Sequence, residues 1–491
     1  MDLSRLEPAA VWRHFSTLCR IPRASGHEQA VRDELMGWAK ARGLGAQVDE
    51  CGNLVLSKPA TAGYENRPGV VLQGHLDMVC QKNSSSRHDF EHDSIEAELR
   101  DGWLVADETT LGADNGIGVA LALAVLESGD VAHPALEVLL TLDEESGMSG
   151  AHGLRPDAVR GRLLINIDTE DWGEFYLGCA GGADVVIDSP LESVPVPGGY
   201  QAARIVVDGL RGGHSGVDIH LQRGNAIKLL VRALQALAAD GVDFRVARLD
   251  GGTARNALAR EAQALIVVAD GGAETLQAAL GRVREDIAEE LEGVDAGFRL
   301  RLLPESAVPQ RVLSDDACRR VLGALHVAPH GVRRMSTRVP GVVETSSNLG
   351  VLRVSTEAIQ ATLMVRSLLD AGTRELAAEI VSLFSLAGMS AAVSEPYPGW
   401  APNPDSGLLA LFQSVYRREF GGDAAVKVIH AGLECGILTA IWPDMDMISF
   451  GPTIRGAHAP GERVEVASVE KAWRLLVAVL GSIPPRSSDQ V

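Results

Sequence analysis

Three short apolar runs, around residues 70–72, 136–142 and 163–167, each give way at once to a cluster of His, Asp or Glu, and this recurrence constrains the fold more than any other feature of the chain. Runs of that length set between helical patterns read as strands of a sheet covered by helices. In open α/β sheets ligands collect beyond the carboxyl ends of the strands. The three clusters are therefore expected to meet in space.

The first cluster is Gly74-His75-Leu76-Asp77. In extended chain His75 and Asp77 point the same way, so one can bind a metal while the other orients it. The second is Leu142-Asp143-Glu144-Glu145-Ser146-Gly147, where neighbouring carboxylates repel one another unless a cation offsets them. One of them can then hold a metal and the other act as general base. The third is Asn166-Ile167-Asp168-Thr169-Glu170-Asp171. Two more stretches join the set. The Gly-rich turn Leu111-Gly112-Ala113-Asp114-Asn115-Gly116 puts Asp114 at the start of a helix, where it can cap the helix or bind a metal. The loop Gly451-Pro452-Thr453-Ile454-Arg455-Gly456-Ala457-His458 presents a histidine after the strand at 448–450.

Taken singly, each motif reads as well as a turn, a cap or a solvated surface. Together, two histidines and three carboxylates form a hard N/O ligand set, suited to Zn, Mn or Co rather than to a thiolate-rich structural zinc site. With one carboxylate bridging, the set suffices for two ions about 3.5–4 Å apart, an arrangement that holds a hydroxide nucleophile and polarises a carbonyl. The implied chemistry is amide hydrolysis.

A chain of 491 residues exceeds one ordinary core, and two domains are expected. The first is a mostly parallel sheet flanked by helices, formed by 1–182 and 398–491, with helices at 7–19, 28–41 and after 110. The second is an inserted α+β lid at 183–397, bounded by the Pro/Gly stretches 194–199 and 397–404. Within it, strands and helices alternate (204–208, 225–239, 262–268, 273–291, 298–303) and a similar round follows over 315–393, as two tandem α+β units would. Arg211-Gly212-Gly213-His214-Ser215-Gly216 lies in this insertion, and its glycines let the backbone approach a ligand.

The 45 basic and 65 acidic residues leave a net charge of −20, which argues against nucleic acid and anionic membrane as partners. Residues 1–20 lack a leader pattern, and no apolar run approaches the roughly 18 residues of a membrane span, so a cytoplasmic location is expected. The six cysteines show no CxxC pairing and read as reduced thiols.

The stretches GHLDMVCQKN, TTLGADNGIG, DEESGMSGA, NIDTEDWGEFYLGCAGG, GGHSGVDIHLQRGNA, GGTARNALAREA, VETSSNLG, IHAGLECGIL and SFGPTIRGAH carry a resemblance over essentially the whole chain. It resembles the aminoacyl-histidine (Xaa-His) dipeptidases, a cytosolic branch of the di-zinc aminopeptidase and carboxypeptidase superfamily. The resemblance implies His75 and Asp168 on one zinc ion, Glu145 and His458 on the other, and Asp114 bridging both. It makes Glu144 the general base and Asp77 the residue that orients His75. It further implies that His214 stabilises the oxyanion, that Arg366 and Asn225 receive the substrate carboxylate, and that His430 and Glu434 return near the metal loops to bind the free amino group. Ala459-Pro460-Gly461-Glu462 departs from the Ser-Pro-Asp-Glu expected of the family.

The function implied is metal-dependent hydrolysis of dipeptides such as Xaa-His, with two divalent ions, zinc or else manganese or cobalt. The partners expected are a dipeptide substrate, no nucleic acid and no membrane. Tandem lid units would let one chain do what related dimers do with two, and a homodimer is the alternative. Competing readings are another amidohydrolase of the clan (an N-acyl amino acid deacylase or a tripeptide aminopeptidase), a non-catalytic metal- or peptide-binding relative, and a thiol hydrolase using Cys80 or Cys435. The last lacks a recognisable His and Asn context.

Overall fold

The computed structural model describes Leu3 and residues 5–486. The remaining residues of the expected 1–182 and 398–491 segments lie outside the described ones. Chain contacts divide the protein into two compact units, one of Met1–Gly178, Pro402–Val428 and Leu433–Val491, the other of Cys179–Ala401 and Ile429–Gly432.

The first unit is built on an eight-stranded sheet. In spatial order its strands are Gly45–Val48, Leu54–Lys58, Leu136–Thr141, Val70–His75, Leu163–Asn166, Asp446–Ser449, Glu174–Cys179 and Ala425–Ile429. Its centre is parallel: Val70–His75 lies between Leu136–Thr141 and Leu163–Asn166, and Asp446–Ser449 runs parallel to the latter. The flanking pairs from Gly45–Val48 to Leu136–Thr141, and the pair at Ser449/Tyr176, are antiparallel. The central strand Val70–His75 is buried at every position, as a parallel strand covered on both faces must be.

Helix Ala9–Arg20 buries Val11, Trp12, Phe15 and Leu18 along one stripe and packs on Ala113–Glu127. The latter has almost every residue after Asp114 buried, so it reads as an Ala/Leu/Val run with no polar face. A small antiparallel sheet joins Glu98–Arg100 and Trp103–Val105, which precede that helix in the chain, to Arg463–Glu465 and Ile454–Arg455 from near the other end. The turn between its last two strands carries His458.

The second unit centres on a nine-stranded sheet with helices Ala226–Ala239, Ala273–Glu290, Asp315–Val327 and Asp370–Leu386 packed against it. The two expected rounds of strands and helices do not form separate sheets. Phe244–Gly251 from the first pairs antiparallel with Val343–Val354 from the second, at Leu249↔Val354, and makes the sheet continuous. The second unit begins at Cys179, earlier than the expected start of the insertion at 183. Gly181–Pro190 is one long strand paired along its length with Ala358–Ser367, which commits it to this sheet. Among the described residues no helix is long and apolar enough to cross a membrane.

Candidate metal centre

His75 closes the strand Val70–His75 and is fully enclosed. Its Nδ1 lies 3.2 Å from Asp77 Oδ1, while Nε2 lies 3.2 Å from Asp114 Oδ1 and 3.5 Å from Asp168 Oδ1. A carboxylate only accepts, so Nδ1 carries the proton given to Asp77 and Nε2 is left facing the other carboxylates.

Asp77 accepts from three further donors: Ser25 Oγ at 2.7 Å and the backbone N–H groups of Glu144 and Glu145, each at 3.1 Å. Burial alone would raise its pKa, but the hydrogen bond and charge of His75, with the Ser25 and Glu145 donors, hold it down at about 2. One carboxylate thus orients the imidazole and fixes the backbone of both acidic residues after the neighbouring strand. That loop turns through Asp143 in the left-handed region (φ 57°), and the Asp143 N–H donates to Glu28 Oε1 at 2.9 Å.

From the far end of the chain, His458 Nε2 lies 3.0 Å from Glu145 Oε2 and 3.3 Å from Asp114 Oδ2. Asp114 therefore presents Oδ1 to one histidine and Oδ2 to the other. Glu144 Oε2 is 4.0 Å from His75 Nε2. His75, Asp114 and Asp168 form one group of converging ligand atoms, Asp114, Glu145 and His458 form another that shares Asp114, and His75, Glu144 and Glu145 form a third.

The electrostatics are those of crowded anions. Burial raises the Asp168 carboxyl to about 8 against the opposing pull of His75, with Asp114 and Glu434 adding to the rise. Burial likewise pushes Glu144 well above the usual range, with Asp168, Glu434 and Glu145 adding repulsion against His75. His458 rises to about 11 through its hydrogen bonds to Asp114 and Glu145. Burial would lower His75, yet Asp168, Asp114 and Asp77 raise it well above the ordinary imidazole value. Among the described residues the ion pairs of these carboxylates involve no Lys or Arg, only the two histidines. Glu145 Oε1 is buried with no hydrogen-bond partner. A hard N/O donor set with this excess of negative charge and an unpartnered ligand oxygen fits divalent cations.

Glu434 is fully buried in the same unit, at the start of helix Glu434–Ile441. Its Oε2 accepts from Gln73 Nε2 at 2.6 Å and Thr141 Oγ1 at 2.8 Å. His430, expected beside it, belongs instead to the second unit, where its Nε2 meets Ser346 Oγ at 2.8 Å. The reason is local: Ile429–Gly432 re-enters that unit, and the Ala180 N–H is shared by Ile429 O and Ala431 O.

The second unit also holds His214, whose Nδ1 accepts the N–H groups of Gly216 at 3.2 Å and Val217 at 3.0 Å. That leaves the proton of a neutral ring on Nε2, and burial, with Arg366 nearby, keeps the ring neutral by lowering its pKa. Arg366 is buried and donates to Tyr397 Oη at 2.8 Å and Ser215 Oγ at 3.3 Å. Asn225 is occupied otherwise than expected. Its Oδ1 caps helix Ala226–Ala239 by accepting from Ile227 and Lys228, and its Nδ2 donates to Leu349 O.

Sequence reasoning missed several residues that hold the site. Buried Arg23 donates to Leu76 O at 2.9 Å and Asp77 O at 2.8 Å through Nη1, and to Gly112 O through Nη2, tying the strand end to the Asp114 turn. The polar break Arg23-Ala24-Ser25-Gly26-His27-Glu28 between two amphipathic helices was its signal.

Residues 206–295 match the peptidase dimerisation domain. Over 485 residues the chain is 43% identical to the cytosol non-specific dipeptidase of Escherichia coli (strain K12), covering 99% of this chain and 100% of that one. The crystal structure of aminoacylhistidine dipeptidase from Vibrio alginolyticus superposes with a TM-score of 0.93 at 41% identity, covering 99% of both chains. An aminopeptidase structure from Bacillus cereus shares the fold at a TM-score of 0.56 and 16% identity, over 97% of this chain and 99% of that one.

Proposed function

This chain belongs to the M20 metallopeptidase family, in the branch of the cytosol non-specific and aminoacylhistidine dipeptidases, and from that premise we propose how its residues divide the work of a metal-dependent dipeptidase. His75 and Asp168 would hold one divalent ion and Glu145 and His458 the other, with Asp114 offering an oxygen to each. The single observation that carries this reading is the division of Asp114's two oxygens between His75 and His458, at 3.2 and 3.3 Å. The ions are zinc by the donor chemistry, with manganese or cobalt as the alternatives an imidazole and carboxylate set also accepts. When bound, such ions polarise the scissile carbonyl and lower the pKa of the attacking water.

Glu144 is the general base. Its backbone is fixed by Asp77, and burial and neighbouring anions make its carboxylate unusually basic for its type. It takes the proton from the attacking water and passes it to the leaving amine, so one residue acts as base and then as acid. His214 offers its Nε2–H to the oxyanion, and Arg366 receives the substrate carboxylate through a guanidinium oriented by Tyr397 and Ser215. Glu434, an enclosed carboxylate in the unit of the metal ligands, takes the free amino group. Asn225 acts as a helix cap. Recognition of both ends of the substrate restricts hydrolysis to dipeptides. The match of 206–295 to a dimerisation domain supports a homodimer.

The test is a substrate panel given to chelator-stripped protein reloaded with Zn, Mn or Co. Metal-dependent release of amino acids from Xaa-His and other dipeptides, with tripeptides and N-acetyl amino acids left intact, is the expected result. Faster cleavage of N-acetyl amino acids than of dipeptides would contradict it.

A further inference from the structure

Glu462 is 2% exposed, and its carboxylate is the acceptor for four consecutive backbone N–H groups. Oε2 accepts from Leu111 at 2.6 Å and Gly112 at 2.9 Å, and Oε1 accepts from Ala113 at 2.8 Å and Asp114 at 3.2 Å. These amides belong to the turn that leads into Ala113–Glu127, running into a break in helical geometry at Asp114 and Asn115, and the side-chain acceptor they share is this carboxylate, which gathers the turn around one group. The ordinary local cap is absent: Gly112, the residue before the helix, has no side chain and sits at φ 70°. A Cβ at Gly112 would come within 2.5 Å of Arg23 Nη2, so no capping side chain fits at that position.

The same carboxylate belongs to the turn that carries His458. Ala459 N–H donates to Gly456 O, Glu462 N–H donates to Ala459 O, and Ala106 N–H donates to Glu462 O, so 456–462 forms a closed turn fastened to the strand before Asp114. His458 itself is held at φ 67°, a left-handed conformation an L-residue adopts only when its surroundings impose it. Glu462 thus adds a side-chain link, beside the pairing of Arg463–Glu465 with Trp103–Val105, between the two chain segments that bring Asp114 and His458 within 3.3 Å, although 344 residues separate them in sequence.

We propose that Glu462 is a positioning residue for the metal centre, fixing the register of the His458 turn on the Asp114 amides and so setting the ion site of Asp114, Glu145 and His458, while the other site keeps Asp168 and a His75 oriented by Asp77. This rests on the two-ion reading above. A carboxylate is required because all four partners are donors. The amide of Glu462→Gln keeps the shape but turns an NH2 group on two of them, and Glu462→Asp keeps the charge but shortens the reach by one methylene.

The test titrates Zn into chelator-dialysed full-length wild type, Glu462→Gln and Glu462→Asp by calorimetry, with metal counted by elemental analysis and kcat and KM measured on a dipeptide. Wild type should take two ions. Both variants should keep one at wild-type affinity and bind the other at least about tenfold more weakly, with kcat down roughly 10- to 100-fold and KM near wild type. If Glu462→Gln fails to fold, Glu462→Asp carries the same expectation. Adding His458→Ala to either variant should weaken the second ion no further than His458→Ala alone. Two ions bound at wild-type affinity in both variants, or equal weakening of both ions, would overturn the proposal and leave the two-ion reading standing. A wild-type chain that takes up fewer than two ions would overturn that reading and this proposal with it.

Discussion

Asp77 accepts the Nδ1–H of His75 at 3.2 Å, and that bond decides which ring nitrogen of His75 is left to face Asp114 and Asp168. The same carboxylate holds the amides of Glu144 and Glu145. Asp77→Asn replaces one acceptor oxygen with a donor among four donors. Turnover on a dipeptide should fall about 10- to 100-fold together with metal affinity. The check is kcat measured beside metal content at matched free zinc. Wild-type values for both would remove Asp77 from the orienting role.

Glu144→Gln separates metal binding from proton transfer. Glu144 Oε2 is 4.0 Å from His75 Nε2, and although Glu144 converges with His75 and Glu145, it belongs to neither of the two groups that share Asp114, so the variant tests whether it is a base or a ligand. The variant should retain its full metal content and lose about 10²- to 10⁴-fold in kcat. A variant that keeps turnover would transfer the proton to another group.

His430 predicts an acid-sensitive stability. Burial, with the charges of Arg366, His214 and His220, pushes its pKa down to about 3, against about 6.5 in an unfolded chain. Between those values the unfolded state binds the extra proton. Stability from this group is therefore complete above about pH 6.5 and declines as pH falls towards 3, by about 1.4 kcal/mol per pH unit once well below 6.5. Urea unfolding of metal-stripped protein between pH 7 and 4.5 should show this slope, and His430→Gln should flatten it by about that amount. Equal slopes would contradict the assignment.

Much of the metal centre was legible because its logic is local. Apolar strands followed by acidic clusters identify strand ends, and adjacent carboxylates such as Glu144 and Glu145 advertise a compensating cation through their own repulsion. What escaped depends on contacts between distant segments. No periodicity marks a four-residue excursion such as Ile429–Gly432, so His430 was read into the unit that holds Glu434. Asn225 follows a Gly and precedes an apolar helix, a cap pattern that its place in a ligand-like motif obscured. The pairing of Leu249 with Val354 that merges the tandem rounds is a register between strands far apart in sequence, which alternation within each strand does not encode. Glu462 closes the stretch Ala459-Pro460-Gly461-Glu462, which departs from the expected Ser-Pro-Asp-Glu only at 459 and 461, and nothing local marks its four amide partners, which lie about 350 residues upstream.

Activity followed against bound metal tests most directly whether a two-ion centre that shares Asp114 hydrolyses dipeptides. Chelator-stripped protein should be titrated with zinc, with ions per chain and Xaa-His hydrolysis read from the same samples. Each chain should take up two ions, reach full activity only as the second site fills, and lose the two-ion state in Asp114→Ala. Full dipeptidase activity with a single ion per chain, or two ions still bound without Asp114, would contradict the two-ion reading.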